Sequence, residues 1–126
     1  MSLAAFVRSQ GGAKVEVGKK FVPEVSYNGH YYPICANGFE HNGATAVCKA
    51  LGLGDGYAKI STSKTHSVTA MPVGGCKPSE TLDNCTGGSN AFGNVNAFNR
   101  ACAANKAGVV EVTCGPGCNH NVFMLQ

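Results

Sequence analysis

The sequence predicts a small α+β fold, an antiparallel sheet beside one short helix, and three observations carry that prediction. Asn28-Gly29 stands between two runs of apolar and aromatic residues, the pair that best tolerates positive φ at both central positions of a two-residue hairpin turn. Ala44 to Leu51 is rich in helix formers and is bounded by Asn42, a good N-cap, and Gly52, a residue suited to ending a helix. Seven cysteines in 126 residues, without tight metal-binding pairs, read as a disulfide framework and not as zinc ligands.

Taken in order, Ala13 to Val17 alternates apolar with charged residues, and Phe21 to Val25 does so more weakly, so each is expected to be a strand with one buried face. Tyr31 to Cys35 returns after the Asn-Gly turn as a second hairpin strand. Pro33 has no amide hydrogen, which assigns it to an edge or a bulge. In the helix, Val47, Cys48 and Leu51 share one face, and a cysteine there can tie a helix too short to stand alone to a strand. Gly52 to Gly75 and Thr86 to Asn99 are dominated by Gly, Ser, Thr and Asn and read as long surface loops. Val109 to Cys114 reads as the last strand. The expected organisation is a leading segment over 1–12, one domain over 13–114 and a tail over 115–126.

The chain has room for one domain but few large apolar residues, so covalent staples must supplement its core. Its net charge of +3 comes from scattered cations, with neither a basic patch nor stacking aromatics, and this excludes a nucleic-acid partner. No run is apolar and long enough to cross a bilayer, and no signal-peptide pattern opens the chain, so direct membrane insertion is not expected. Cysteine usage points outside the cytosol, to the secretory pathway, the cell surface or the extracellular space. The expectation is a domain of a larger secreted or anchored protein, whose other domains are its neighbours.

The run from Tyr27 to Gly54, YNGHYYPICANGFEHNGATAVCKALGLG, resembles the core signature of the scavenger receptor cysteine-rich family. That signature has an Asn-Gly turn, an aromatic strand into a cysteine, a further aromatic, an Asn-capped helix carrying a cysteine, and Leu-Gly. Cys76 and Cys85 resemble the family's locally paired cysteines. Cys102, Ala107-Gly108-Val109 and Cys114 resemble its ending, so the likeness covers roughly 13 to 114. Spacing alone does not choose among the 15 pairings open to six cysteines. The resemblance implies Cys35 with Cys102, Cys48 with Cys114 and Cys76 with Cys85. It also implies a curved antiparallel sheet cradling the helix, with long loops and three disulfides. Cys118 is left over as a free thiol, or as an alternative partner for Cys48, because extra residues stand between Val110 and Cys114. The family's tryptophans near Tyr31 and Phe39 are absent, since the chain has none.

The resemblance further implies an extracellular adhesion or recognition module, not an enzyme, that binds a protein or an anionic polysaccharide through exposed loops. Lys59, Lys64, Lys77 and Arg100 are the candidate contacts. A structural spacer domain is the alternative. Family members often hold a divalent cation through paired acidic residues after the first cysteine, but Ala36 and Asn37 occupy those positions, and Lys106 stands where a carboxylate would help. Asn37, Glu40, Asp55 and Asp83 remain as weak oxygen donors for calcium. Four histidines, His30, His41, His66 and His120, sit in polar surroundings, and a thiol nucleophile would need a cysteine not already bridged. Cys114, Cys118 and His120 would supply only three zinc ligands. Asn84-Cys85-Thr86 fits the glycosylation pattern, with a turn-capping role as the plainer use of Asn84.

Overall fold

The computed structural model describes residues 6–53, 70–87, 92 and 108–115 in full, together with the backbone of 58–63. Among these the chain is mixed α+β with antiparallel strands. β1 (Val7–Ser9), β2 (Pro23–Tyr27) and β3 (His30–Pro33) form one sheet in that order, and β4 (Ala58–Ser63) pairs with β5 (Val109–Cys114) in a second. One helix, α1 (His41–Ala50), packs against β4 and β5.

The hairpin follows from its turn. Tyr27 opposes His30, and Asn28 and Gly29 adopt φ values of 51° and 78°, the pair of positive angles that aligns a two-residue turn with the strand twist. Pro33 ends β3, the edge strand of its sheet, where no ladder bond is lost. The other edge differs from the expectation. The sequence places 1–12 outside the domain, whereas Val7, Arg8 and Ser9 pair with Val25, Glu24 and Pro23, and Gln10–Gly12 forms a 3-10 turn. Conversely, the alternating segment 13–17 makes no strand; it is largely exposed, so its apolar residues have no surface to cover. Arg8 explains why the early segment stays on the sheet. Its Nε donates to Glu24 Oε1 at 2.9 Å, and its guanidinium lies 3.9 Å from the centre of the Tyr31 ring. Glu24 is only 8 % exposed, so this charge-assisted bond compensates a carboxylate otherwise expensive to bury.

β5 joins the two sheets. One edge carries β4 in continuous register from Ala58↔Cys114 to Ser63↔Val109. On the other edge, Phe21 and Val112 exchange amide bonds of 2.9 Å, the Val110 amide donates to the Ile34 carbonyl at 2.8 Å, and the Gly18 amide donates to the Cys114 carbonyl at 2.8 Å. The strand is thus enclosed on both edges, and Val109, Val110 and Val112 are fully buried.

The predicted surface loop over 52–75 is corrected at two places. Residues 58–63 are β4, whose Ala, Lys and Ser content dilutes the strand signal but whose backbone finds β5 across a long sequence separation. Ala70 to Cys76 is buried throughout. This irregular segment is tolerated inside because it is hydrogen-bonded: the Met71 amide donates to the Pro33 carbonyl at 2.7 Å, and the Cys35 amide donates to the Met71 carbonyl at 2.9 Å.

α1 ends as its sequence suggests and starts differently. Gly52 takes φ 79°, its amide donates to the Lys49 carbonyl, and the Leu53 amide donates to the Cys48 carbonyl, both at 2.9 Å, which completes a Schellman motif. The N-cap is Glu40 and not Asn42. The Asn42 side chain instead donates to the Cys76 carbonyl at 3.2 Å, a tertiary tie that local capping rules do not foresee. Cys48 on the buried face is joined to Cys114 at the end of β5, and Cys76 is joined to Cys85. Cys35, also buried, is disulfide-bonded. Cys102 and Cys118 lie outside the described residues. Among the described residues no helix is long and apolar enough to cross a membrane.

Candidate functional site: a groove beside the Cys76–Cys85 loop

The outward side of α1 faces the loop that the Cys76–Cys85 bond closes. Asn42, Thr45, Ala46, Lys49 and Ala50 recur at helical spacing along one wall, and Pro78 to Leu82 form the other. Two alanines keep the helix wall low, and Phe6 with Val7, leading into β1, closes one end. The apolar section encloses about 360 Å³, and a more polar section of about 130 Å³ adjoins it. Lys49 lines both.

The loop wall is held by more than its covalent bond. Glu80 Oε1 accepts the Lys77 amide at 2.6 Å and the Thr86 amide at 2.8 Å, and the Thr86 hydroxyl donates to Oε2. These bonds, that of the Thr86 hydroxyl foremost, hold the Glu80 carboxyl below its usual value, and the nearby Lys77 charge adds to the effect. Glu80 therefore remains the ionised centre of a loop whose two ends it grips. Ser79, at the turn, has φ 71°, a left-handed conformation rarely adopted by a residue with a Cβ. Beneath the loop, the Gly87 amide donates to the Gly75 carbonyl at 2.8 Å, and a Cβ on Gly87 would come within 2.8 Å of that peptide group. Only glycine fits so close a crossing of two backbones.

The residues singled out from sequence are dispersed. Lys77 is exposed at the start of this loop, beside the groove. Lys59 is not on a loop; it lies on β4 opposite Thr113. Lys64, Arg100 and Asp55 lie outside the described residues, as do His66 and His120. Asn37 is exposed in a turn after Cys35, with its amide 3.4 Å from the Cys35 sulfur, and Glu40 caps α1 from an exposed position. Asp83 accepts the Thr81 hydroxyl at 2.8 Å. Among the described residues no three His, Cys, Asp or Glu side chains group as a metal site would need. Asn84 is exposed at the end of the 3-10 turn Leu82–Asn84, and its amide donates to the Thr81 carbonyl at 2.9 Å. His41 and Thr45 approach each other across one helical turn, with Nε2 and Oγ1 3.5 Å apart.

Sequence reasoning missed the groove and Glu80. A Glu three residues after Lys77 carries no signal of a clamp until Thr86 is brought back beside it. No family model, curated protein or solved structure matches the chain.

Proposed function

We propose that the chain is an extracellular, non-catalytic recognition module of the scavenger receptor cysteine-rich kind, and that it engages an anionic surface on a protein or a glycan. The observation that carries this reading is the loop from Cys76 to Thr86. It is exposed, yet closed by a disulfide and by Glu80, and it presents Lys77 in a fixed setting. A preorganised loop loses little entropy when it binds, which favours recognition. Disulfides persist in oxidising compartments, and this supports the extracellular assignment. The signature from Tyr27 to Gly54 supports the family assignment. Lys59, Lys64 and Arg100 are proposed as further cationic contacts.

Immobilised dextran sulfate, with uncharged dextran as control, tests the reading. Binding is expected at low ionic strength and is expected to fade as salt screens the charges, and Lys77→Glu should weaken it by about three- to tenfold. Equal retention on both matrices, or retention indifferent to salt, contradicts the anionic ligand and favours a spacer domain.

A further inference from the structure

The groove described above has a chemistry that the loop cations do not account for. Its larger section is mainly apolar, lined by Phe6, Val7, Ala46, Ala50 and Leu82 together with four polar or charged residues. Phe6 is 70 % exposed, a large aromatic side chain left open to solvent at the mouth of a concave apolar surface. Where this section meets the polar one, Lys49 lines both, with Thr45 one helical turn before it on the polar side. Among the described residues, the ion pairs engage Arg8, Lys19 and Lys20, and Lys49 takes part in none. Glu80 lines both sections as well, but its oxygens accept three donors from its own loop, and Lys77 lies close enough to help hold its charge. The unengaged charge at the junction is therefore positive.

The shape is built into the fold. One wall is an α-helix whose residues 46 and 50 are alanines, and a larger side chain at either would fill the space. The opposite wall is fixed by the Cys76–Cys85 bond, by the Asn42 to Cys76 hydrogen bond, and by the Glu80 clamp. Ser79 holds its strained backbone at this wall. Strained residues concentrate where the surrounding structure fixes a binding surface. A volume of about 360 Å³ lies at the small end of the range for small-molecule sites and is too confined for a folded partner.

From the apolar section, the unpaired cation at its end and the small volume, we infer that this groove binds a small amphipathic carboxylate. The alkyl chain lies along Phe6, Ala46, Ala50 and Leu82, and the carboxylate meets the Lys49 ammonium beside the Thr45 hydroxyl. A charge-assisted bond at one end fixes orientation, and burial of the chain supplies most of the affinity. The groove adjoins the cationic surface proposed for anionic partners, because the Cys76–Cys85 loop forms part of both, and the two are told apart by different ligands and by different variants, Lys49→Gln here and Lys77→Glu there.

The experiment titrates the ¹⁵N-labelled full chain with decanoate, hexanoate and decanol, reading the amide signals of Ala46, Lys49, Ala50, Ser79 and Leu82. Decanoate is expected to shift this group saturably, and hexanoate to bind at least about tenfold more weakly, because each buried methylene contributes to affinity. Lys49→Gln, a change on an exposed helix position, should weaken decanoate by about three- to tenfold and leave decanol unchanged. Ala46→Trp should abolish binding of both while the remaining spectrum stays that of the folded protein. Absence of saturable shifts in this group, indifference to chain length, or equal effects of Lys49→Gln on decanoate and decanol overturns the inference.

Discussion

Replacing both Cys48 and Cys114 with alanine is expected to lower the unfolding free energy by about 4 kcal/mol, the chain-entropy value for a cross-link of this span. The bond joins residues 66 apart in sequence, so it removes a large set of extended conformations from the unfolded chain. It also joins the only cysteine of α1 to the last residue of β5, the strand that links the two sheets. A ten-residue helix is marginal without tertiary support, and α1 carries little large apolar surface: its buried residues are Gly43, Ala44, Val47 and Cys48. Both sulfurs are almost wholly buried, so alanine at each site leaves space without introducing a polar group. Thermal unfolding followed by circular dichroism should show a midpoint lower by about 10–20 °C, given the size dependence of the unfolding entropy. A fall of only a few degrees would mean that packing, and not the cross-link, holds the helix in place.

Gly43→Ala is expected to destabilise the protein, the reverse of its effect in an isolated helix. Glycine within a helix is about 1 kcal/mol less favourable than alanine, so propensity alone predicts a gain. Here a Cβ would lie 2.5 Å from Cε1 and 2.6 Å from Cζ of Phe39, far inside contact distance. Phe39 is 7 % exposed and belongs to the core, so its ring cannot swing into solvent without uncovering that surface. Overpacking of this kind costs about 1–3 kcal/mol, enough to outweigh the propensity gain. Urea denaturation checks the sign, and adding Phe39→Leu should recover part of the loss by making room. A stabilised Gly43→Ala variant would show that the Phe39 ring moves freely.

How much of this was legible in the sequence depended on how local the cause was. The Asn28-Gly29 turn and the Gly52 end of α1 are set by backbone preferences of single residues, and both were readable. Val109 to Cys114 was readable as a strand because its apolar run has no helical period. The start of α1 was not, because Asn42 is drawn to the Cys76 carbonyl, a partner 34 residues away. Ala13 to Val17 misled because alternation marks a strand only where one face has something to cover. β4 and the buried segment from Ala70 to Cys76 were hidden for the opposite reason. The Ala, Lys and Ser of β4 give little strand signal and its pairing with β5 spans a long separation, whereas Gly, Pro and Ala make 70–76 read as a loop until hydrogen bonds to Pro33 and Cys35 hold it inside. Residues 7–9 join the sheet through Arg8 and Glu24, a pairing that no short-range pattern signals.

The candidate site was less legible than the fold. Lys77 was marked by its position, but the groove depends on two alanines, whose importance is their small size, and on a glutamate whose partners are two residues of its own loop. None of these stands out in composition. The residues around Lys59 read as a loop, whereas its backbone belongs to β4.

The Cys48–Cys114 bond ties α1 to β5, and the Cys76–Cys85 bond closes the loop that faces α1. Peptide mass mapping of the unreduced protein, with free thiols blocked before digestion, tests this most directly. The expected result is one linked species containing Cys48 and Cys114, a second containing Cys76 and Cys85, and Cys35 recovered in linked form. Recovery of Cys48, Cys76, Cys85 and Cys114 as blocked thiols, or cross-linking of the helix cysteine to the loop cysteines, would contradict it.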